Sequence, residues 1–261
     1  MNTLKNVSYK IFMLALLIAV ASCASRQELV YFQDEPLNDA FSNLNKDFQI
    51  KFKPDDLLTI DVSALDPEAA RPFNLPAVSY NASVIAAQGQ LKMQTYLVDA
   101  KGNIEFPVLG TIKMGGLSRS DANAMLKERL SEYIKNPIVN IRLANFSITV
   151  LGEVNKPGTF IIQDERISLS EAIGLAGDMT IYGRRDNIFL IREIDGNKRY
   201  AKLDLSSINV VNSPNYYLTQ NDVIYVEPNN ARMRQANFTQ NNTLIVSIVG
   251  VAATIAAILI K

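Results

Sequence analysis

The first half of the chain contains short apolar runs that are separated by glycine turns, a pattern typical of strands. A helical period replaces this pattern after Ser118, which stands three positions before Asp121 and so approaches a capping box. The apolar residues expected on one face of this helix are Ala122, Leu126, Leu130, Tyr133 and Ile134. We expect the helix to stop before Asn136-Pro137, because a residue that precedes proline disfavours the α region. The alternating segment Ile138 to Leu143 then predicts a strand.

A second run of strands and a helix starts at Ser147. Its first strand ends at Gly152 and its second begins at Thr159. Pro157 and Gly158 lie between these strands and predict a turn in which glycine takes a positive φ. Gly110 marks a similar turn in the first half of the chain.

Two further signals complete the second unit. Ser168 and Glu171 form a full capping box for a short helix. Asp195-Gly196 lies between two strand-like runs and predicts a hairpin. Strands that surround a single helix in this way indicate an α+β fold.

Both ends of the chain carry apolar segments. Lys5 and Lys10 precede the apolar run Ile11 to Val20, and small residues follow, which is the order of a secretory signal. The single cysteine, Cys23, closes this signal, where it resembles the lipobox of bacterial lipoproteins. A lone cysteine cannot form an internal disulfide, so we favour lipidation of Cys23. The alternative is an ordinary signal cleaved nearby, with Cys23 an incidental thiol.

Residues 244–260 form an uncharged apolar run that would make a helix about 25 Å long. This is short for a bilayer core of about 30 Å, but the bacterial outer membrane is thinner than average. We therefore expect a transmembrane helix, with a buried core helix as the alternative. On such a helix Thr243, Ser247, Gly250 and Thr254 share one face, which we predict to line a pore or contact neighbouring helices. A plain anchor with incidental small residues is the other interpretation of this face.

Charge and composition restrict the chemistry of the chain. It has 26 basic and 26 acidic residues, which argues against nucleic acid as a partner, and no histidine, which removes the usual general base and transition-metal ligand. We predict no metal site and no enzymatic activity. The adjacent Asp55 and Asp56 fit a solvated turn better than a catalytic pair. A glycan-processing enzyme that uses Glu165 and Glu171 is a minor rival, because strand and helix ends explain these acidic residues equally well.

Three segments carry a resemblance to a known family. FKPDDLLTIDV, YLVDAKGNIEFPVLGTIKMGGLSRSDA and NPIVNIRL resemble the export domain of the bacterial polysaccharide export outer-membrane lipoproteins. VLGEVNKPGTF, the ISLSEAIGLAG helix and NDVIYVEP look like the β-grasp module called SLBB that follows it in that family. The segment Asp66 to Gln90 is longer than this resemblance implies and is expected to be a loop. The division of the chain that follows is a signal peptide (1–22), a lipidated tether (23–46), an export domain (47–145), one SLBB domain (146–228), a linker (229–243) and a transmembrane helix (244–260).

The resemblance implies a conduit rather than a catalyst. It would be a homo-oligomeric ring, lipid-anchored in the outer membrane with its domains in the periplasm. It would carry capsular or exopolysaccharide to the cell surface and dock onto an inner-membrane polysaccharide co-polymerase. No cofactor is implied. The alternative is a non-transporting envelope lipoprotein that binds glycan or a partner protein through its SLBB domain as a scaffold. A C-terminal span in the inner membrane, as part of a co-polymerase, also stays open.

Overall fold

The computed structural model describes residues 29–34, 48–75, 94–194, 196–237, 247, 250 and 251 of the chain. In these residues the fold is α+β, as predicted, and its buried apolar side chains form two separate cores. The first core extends from Phe52 to Ile141 and the second from Phe146 to Val226. We call the parts of the chain around these cores the first and the second domain.

The first domain is built on a three-stranded antiparallel sheet in the order β2-β1-β5, beside a separate hairpin of β3 and β4. Its elements are β1 (Leu57–Ser63), α1 (Pro67–Ala70), a 3-10 turn (Arg71–Phe73), β2 (Tyr96–Leu97), β3 (Asn103–Phe106), β4 (Gly110–Lys113), α2 (Arg119–Leu130) and β5 (Ile138–Leu143).

Helix α2 begins as the sequence predicts and ends earlier than expected. The Ser118 hydroxyl accepts the backbone N–H of Asp121 at 3.2 Å, and Ala122, Leu126 and Leu130 are fully buried. The chain leaves the helix after Leu130. Tyr133 is therefore 57% exposed, and its predicted place on the buried face is wrong.

The segment that follows β1 begins with helical turns, where the sequence predicts a loop from Asp66 to Gln90. Asp66 caps α1, and Phe73 in the following 3-10 turn is 4% exposed within the first core. Residues 76–90 of the predicted loop lie outside the described residues.

The second domain has a five-stranded sheet in the order β10-β9-β12-β6-β7, in which β12 and β6 are parallel and the other pairs antiparallel. A short pair, β8 and β11, lies beside it. Its elements are β6 (Ser147–Gly152), β7 (Gly158–Ile161), β8 (Ile167–Ser168), α3 (Leu169–Leu175), β9 (Gly183–Ile194), β10 (Asn197–Leu203), a 3-10 turn (Ile208–Asn212), β11 (Tyr217–Leu218), β12 (Val223–Pro228) and α4 (Asn230–Asn237).

Local signals in the second domain are confirmed. Ser168 and Glu171 form the reciprocal capping box that opens α3. Strands β9 and β10 pair with Ile194 opposite Asn197, so the predicted hairpin is present, and Gly196 has a φ of +74°. These contacts are short-range and therefore visible in the sequence.

Gly152, rather than Gly158, is the glycine that the second domain requires. Gly152 has a φ of +91°, and it pairs with Val226 where β6 and β12 run parallel. A β-carbon at Gly152 would overlap the carbonyl oxygen of Val226. Gly158 is not among the residues with positive φ, and a β-carbon there would have open space, so the predicted positive φ at Gly158 is wrong.

We expect Gly152→Ala to lower the free energy of unfolding by at least about 2 kcal/mol, because a positive φ strains an alanine and the added carbon meets backbone. Gly158→Ala is the matched control and should stay within about 0.5 kcal/mol of wild type. Urea unfolding of the two variants measures the difference. Equal midpoints for both would show that the approach of Gly152 to β12 is not constrained.

Candidate functional site

Residues 144–146 join the two domains, and the first domain holds the middle one, Asn145. The side-chain oxygen of Asn145 accepts the backbone N–H of Leu57 at 2.9 Å. Its amide nitrogen donates to the carbonyl oxygen of Asp55 at 3.0 Å. The linker is therefore fixed against the turn that precedes β1.

The second domain holds the same linker through Gln220, which is 4% exposed in the loop before β12. The side-chain oxygen of Gln220 accepts the N–H of Ser147, and its amide nitrogen donates to the carbonyl oxygen of Asn145, both at 2.7 Å. The ammonium group of Lys53, from the first domain, donates to the Gln220 carbonyl oxygen at 2.6 Å. We call Lys53, Asn145 and Gln220 the junction. Its bonds hold the domains in one relative orientation.

A buried ion pair supports the loop that carries Gln220. Asp222 is fully buried, and its carboxylate accepts from Arg192 at 2.7 and 3.0 Å and from the backbone N–H of Thr219 at 2.7 Å. Arg192 also donates to the carbonyl oxygen of Tyr217 at 2.9 Å. Removing either charge would leave the other unpaired in the interior, which is strongly destabilising.

Beside the junction, residues of both domains line an open cleft of about 590 Å³. Its apolar side chains include Phe52, Ile141 and Phe146, which are 4%, 0% and 2% exposed. Arg119 of the first domain and Glu165 of the second form an ion pair. The polar residues that line the cleft are Gln49, Arg119, Ser120, Arg142, Gln163, Asp164, Glu165 and Arg166. The volume falls within the range of ligand-binding sites.

The second prominent surface is the side of the five-stranded sheet that faces away from the second core. We call it the outer face. Cross-strand register places its residues in two rows. Its apolar members neither belong to the second core nor pack against it. Such an exposed apolar sheet face marks a contact surface. The rows are Tyr200, Ile191, Val223, Thr149 and Thr159, then Lys202, Phe189, Tyr225 and Leu151.

Residues 29–34, which we call the strap, lie within the predicted tether (23–46) and dock on the second domain. Phe32 and Gln33 donate their backbone N–H groups to the carbonyl oxygens of Leu205 and Ser206. The Tyr31 hydroxyl donates to Asp178, and the guanidinium of Arg185 lies 5.2 Å from the ring centroid. Burial, and then the bond to Asp178, raise the pKa of Tyr31.

Helix α4 meets the second domain at the same place as the strap. The guanidinium of Arg232 donates to Glu153 at 3.0 Å and lies 5.4 Å from the ring centroid of Tyr182. The hydroxyl of Thr180 donates to the same carboxylate at 2.9 Å. The segments that come from the two ends of the chain thus converge on residues 178–185.

Most of the predicted anchor and pore residues lie outside the described residues, namely Cys23, Thr243 and Thr254. Ser247 and Gly250 are described as helical and exposed. Among the described residues, no helix combines the length and apolar character needed to cross a membrane. The predicted span at 244–260 falls mainly on residues that are not described.

The predicted turn residues divide into two kinds. Gly110 opens β4 with a φ of +69°, and Gly152 has the close contact given above. Pro157 stands directly before β7, and Gly158 is its first residue, with ordinary backbone geometry.

The carboxylates that the sequence raises as catalytic candidates have structural partners. Glu165 pairs with Arg119. Hydrogen bonds from the Ser168 backbone and hydroxyl lower the pKa of Glu171, which closes the capping box of α3. Within the described ranges, no group of three or more cysteine, aspartate or glutamate side chains is placed to hold a metal ion.

Asp56 is the exception to the solvated turn that the sequence predicts for Asp55-Asp56. Asp56 is 1% exposed, and only one of its carboxylate oxygens has a partner, the backbone N–H of Lys53 at 2.9 Å. Burial raises the pKa of Asp56 to about 6, against the opposing effect of that N–H and of the Lys53 charge. The turn next to the junction therefore contains a carboxyl group that stays protonated up to a higher pH than an ordinary aspartate does.

Comparison with known proteins gives two family matches in order along the chain. Residues 45–144 match the family described as polysaccharide biosynthesis/export protein, and residues 147–226 match the SLBB domain. One relative is the EPS I polysaccharide export outer membrane protein EpsA of Ralstonia nicotianae, 26% identical over 167 residues that cover 62% of this chain and 43% of the relative. The protein of the same name from Ralstonia solanacearum is 26% identical over 167 residues, which cover 62% of this chain and 44% of that relative. The matched part thus spans less than half the length of these relatives.

We expect Asp56→Asn to stabilise the protein at pH 7.5 and to have little effect near pH 4. With a folded pKa of about 6 and a lower value in the unfolded chain, the wild-type carboxyl contributes stability at low pH that is lost as the pH rises through 6. The gain at pH 7.5 should reach about 1–3 kcal/mol.

Urea midpoints measured between pH 4 and pH 8 test this. Asp61→Asn, at an exposed position on β1, is the control and should follow the wild-type profile. Parallel profiles for Asp56→Asn and wild type would contradict the raised pKa of Asp56.

Proposed function

Since the chain belongs to the polysaccharide biosynthesis/export protein family, we propose that it is a subunit of an outer-membrane polysaccharide conduit. The conduit moves capsular or exopolysaccharide from the periplasm to the cell surface. Both relatives are named as polysaccharide export outer membrane proteins, which supports polysaccharide as the substrate and the outer membrane as the location. The proposal includes no catalytic step and no cofactor, in keeping with the absence of histidine and the structural partners of Glu165 and Glu171.

The outer face of the second domain is the observation that carries the proposed assembly. Tyr200 and Leu151 on this face are 69% and 43% exposed, and Tyr225, in the same row as Leu151, is 38% exposed. Contact between this face and a different surface of the next copy is heterologous, and such contacts close into a ring when the rotation permits. We therefore propose a homo-oligomeric ring in which the outer face is a subunit contact.

Two anchors would hold this ring to the outer membrane. Cys23, as the proposed lipid attachment site, stands only six positions before the start of the strap, and α4 ends seven positions before Leu244. The strap and α4 converge on residues 178–185. This convergence supports a lipid and a helix of residues 244–260 at the same end of the second domain. The face of Thr243, Ser247, Gly250 and Thr254 would then line a helical pore or contact neighbouring helices.

The remaining proposed partner is an inner-membrane polysaccharide co-polymerase, which would couple synthesis of the polymer to export. The second candidate function is a non-transporting scaffold that binds glycan or a partner protein. The cleft between the domains fits that function as well, because it has the size of a ligand site. The oligomeric state separates the two functions.

We expect Leu151→Lys to break the ring while leaving the domains folded, since an unpaired charge inside an apolar contact is costly. The size of the detergent-extracted protein, by single-particle imaging and native mass spectrometry, measures the assembly, and the melting temperature monitors folding. Leu65→Lys is the matched control, because Leu65 is 100% exposed in the first domain. A monomeric wild-type protein would contradict the conduit function and favour the scaffold function.

We expect Cys23→Ser to lack the mass of the lipid and to fractionate less with the outer membrane. Stable anchoring requires two or more membrane signals, so the additional removal of residues 244–261 should release the protein. Membrane fractionation and intact mass are the readouts. An unchanged mass in Cys23→Ser would rule out lipidation at this residue.

A further inference from the structure

The cleft between the domains has both apolar and hydrogen-bonding surface, which are the two kinds of surface that complement a sugar. The half-buried Phe48, Ile50 and Leu143 supply its accessible apolar surface. The exposed polar residues offer donors and acceptors side by side, because amides do both, guanidinium groups only donate and carboxylates only accept. Sugar hydroxyl groups also donate and accept, whereas the carbon-bound hydrogens of the ring are apolar.

The charges of the cleft favour an acidic sugar over a neutral one. Three arginines and two acidic residues line it. Arg119 is paired with Glu165. Among the described residues, Arg142 and Arg166 form no ion pair, and Asp164 is the remaining acid. Two guanidinium groups, one from each domain, are therefore available for a carboxylate, which they recognise by paired hydrogen bonds.

An aromatic stack positions part of this lining. The ring of Phe48 stacks on that of Tyr217 with centroids 5.2 Å apart and an interplanar angle of 27°. The guanidinium of Arg166 lies 5.0 Å from the Tyr217 centroid. Contact with Tyr217 thus restricts both Phe48 and Arg166. Because these side chains are already ordered, binding a ligand does not cost the entropy of ordering them.

The junction fixes the separation of the two halves of the cleft. Arg142 comes from the first domain and Arg166 from the second, where Phe48 also stacks on Tyr217. Lys53 and Asn145 bond to Gln220 across the boundary between them. The lining residues are therefore held at a set distance, as a preformed site requires.

We propose that this cleft is a binding subsite for a short segment of acidic polysaccharide. A uronate carboxylate lies between Arg142 and Arg166, hydroxyl groups bond to Gln49 and Gln163, and a ring face packs on Phe48. This proposal rests on the proposed export function for its class of ligand. In a conduit such a subsite binds weakly and in every subunit, so that the polymer is guided and released.

Isothermal titration of the full-length protein in detergent tests the subsite with two probes, hexagalacturonate as the acidic oligosaccharide and maltohexaose as the neutral one. We expect hexagalacturonate to bind at least about tenfold more tightly. Arg142→Gln and Arg166→Gln should each weaken that binding by about tenfold or more and leave the melting temperature unchanged. Arg199→Gln, on the exposed part of β10, is the matched control and should bind as wild type does.

Several outcomes would overturn the proposal. Absence of binding by wild type, equal affinity for the two probes, or equal weakening by Arg199→Gln would each show that the cleft is not a subsite for acidic sugar. The export role has a separate readout, the amount of polymer on the surface of cells that lack the chain. If the surface polymer of such cells is unchanged and hexagalacturonate still binds in an arginine-dependent way, the proposed export function is contradicted and the proposed subsite is supported.

Discussion

The junction between the domains is the constraint on which the other surfaces depend. A short linker that crosses between two cores would ordinarily allow the domains to rotate. Here Asn145 bonds to backbone on the first domain, Gln220 bonds to backbone on the linker, and Lys53 bonds back to Gln220. Because Gln220 is 4% exposed, losing one of its bonds leaves a buried polar atom without water or a partner. The cleft keeps its width, and the outer face keeps its angle to the first domain, because this orientation is fixed.

Short-range signals predict much of the fold. The caps at Ser118 and Ser168 and the hairpin of β9 and β10 involve partners a few positions apart, and the structure has all of them. Predictions fail where a distant part of the chain decides the outcome. Asp56 looks like a surface turn residue, but the fold buries it. Gly158 looks like the strained turn glycine, but the strain falls on Gly152 because β12 passes beside it.

The cleft and the junction could not be predicted in the same way. Gln220 lies 73 positions from Ser147, and Asn145 lies 88 positions from Leu57. The cleft takes its lining from several separate segments, and no single one carries a recognisable motif. The outer face had a partial signal, since β9 reads Ile188-Phe189-Leu190-Ile191 without alternation. A strand that is apolar on both sides indicates two contact surfaces, although the sequence does not say what meets the second one.

The strap also bears on the order in which the protein folds. Tyr31 and Asp178 are 147 positions apart, and the backbone partners of the strap, Leu205 and Ser206, come later still. Chains are made from the N-terminus, and contacts between distant positions form late. Residues 29–34 therefore stay undocked until the chain has been made and folded beyond Ser206. Docking of the strap thus marks the completion of the second domain.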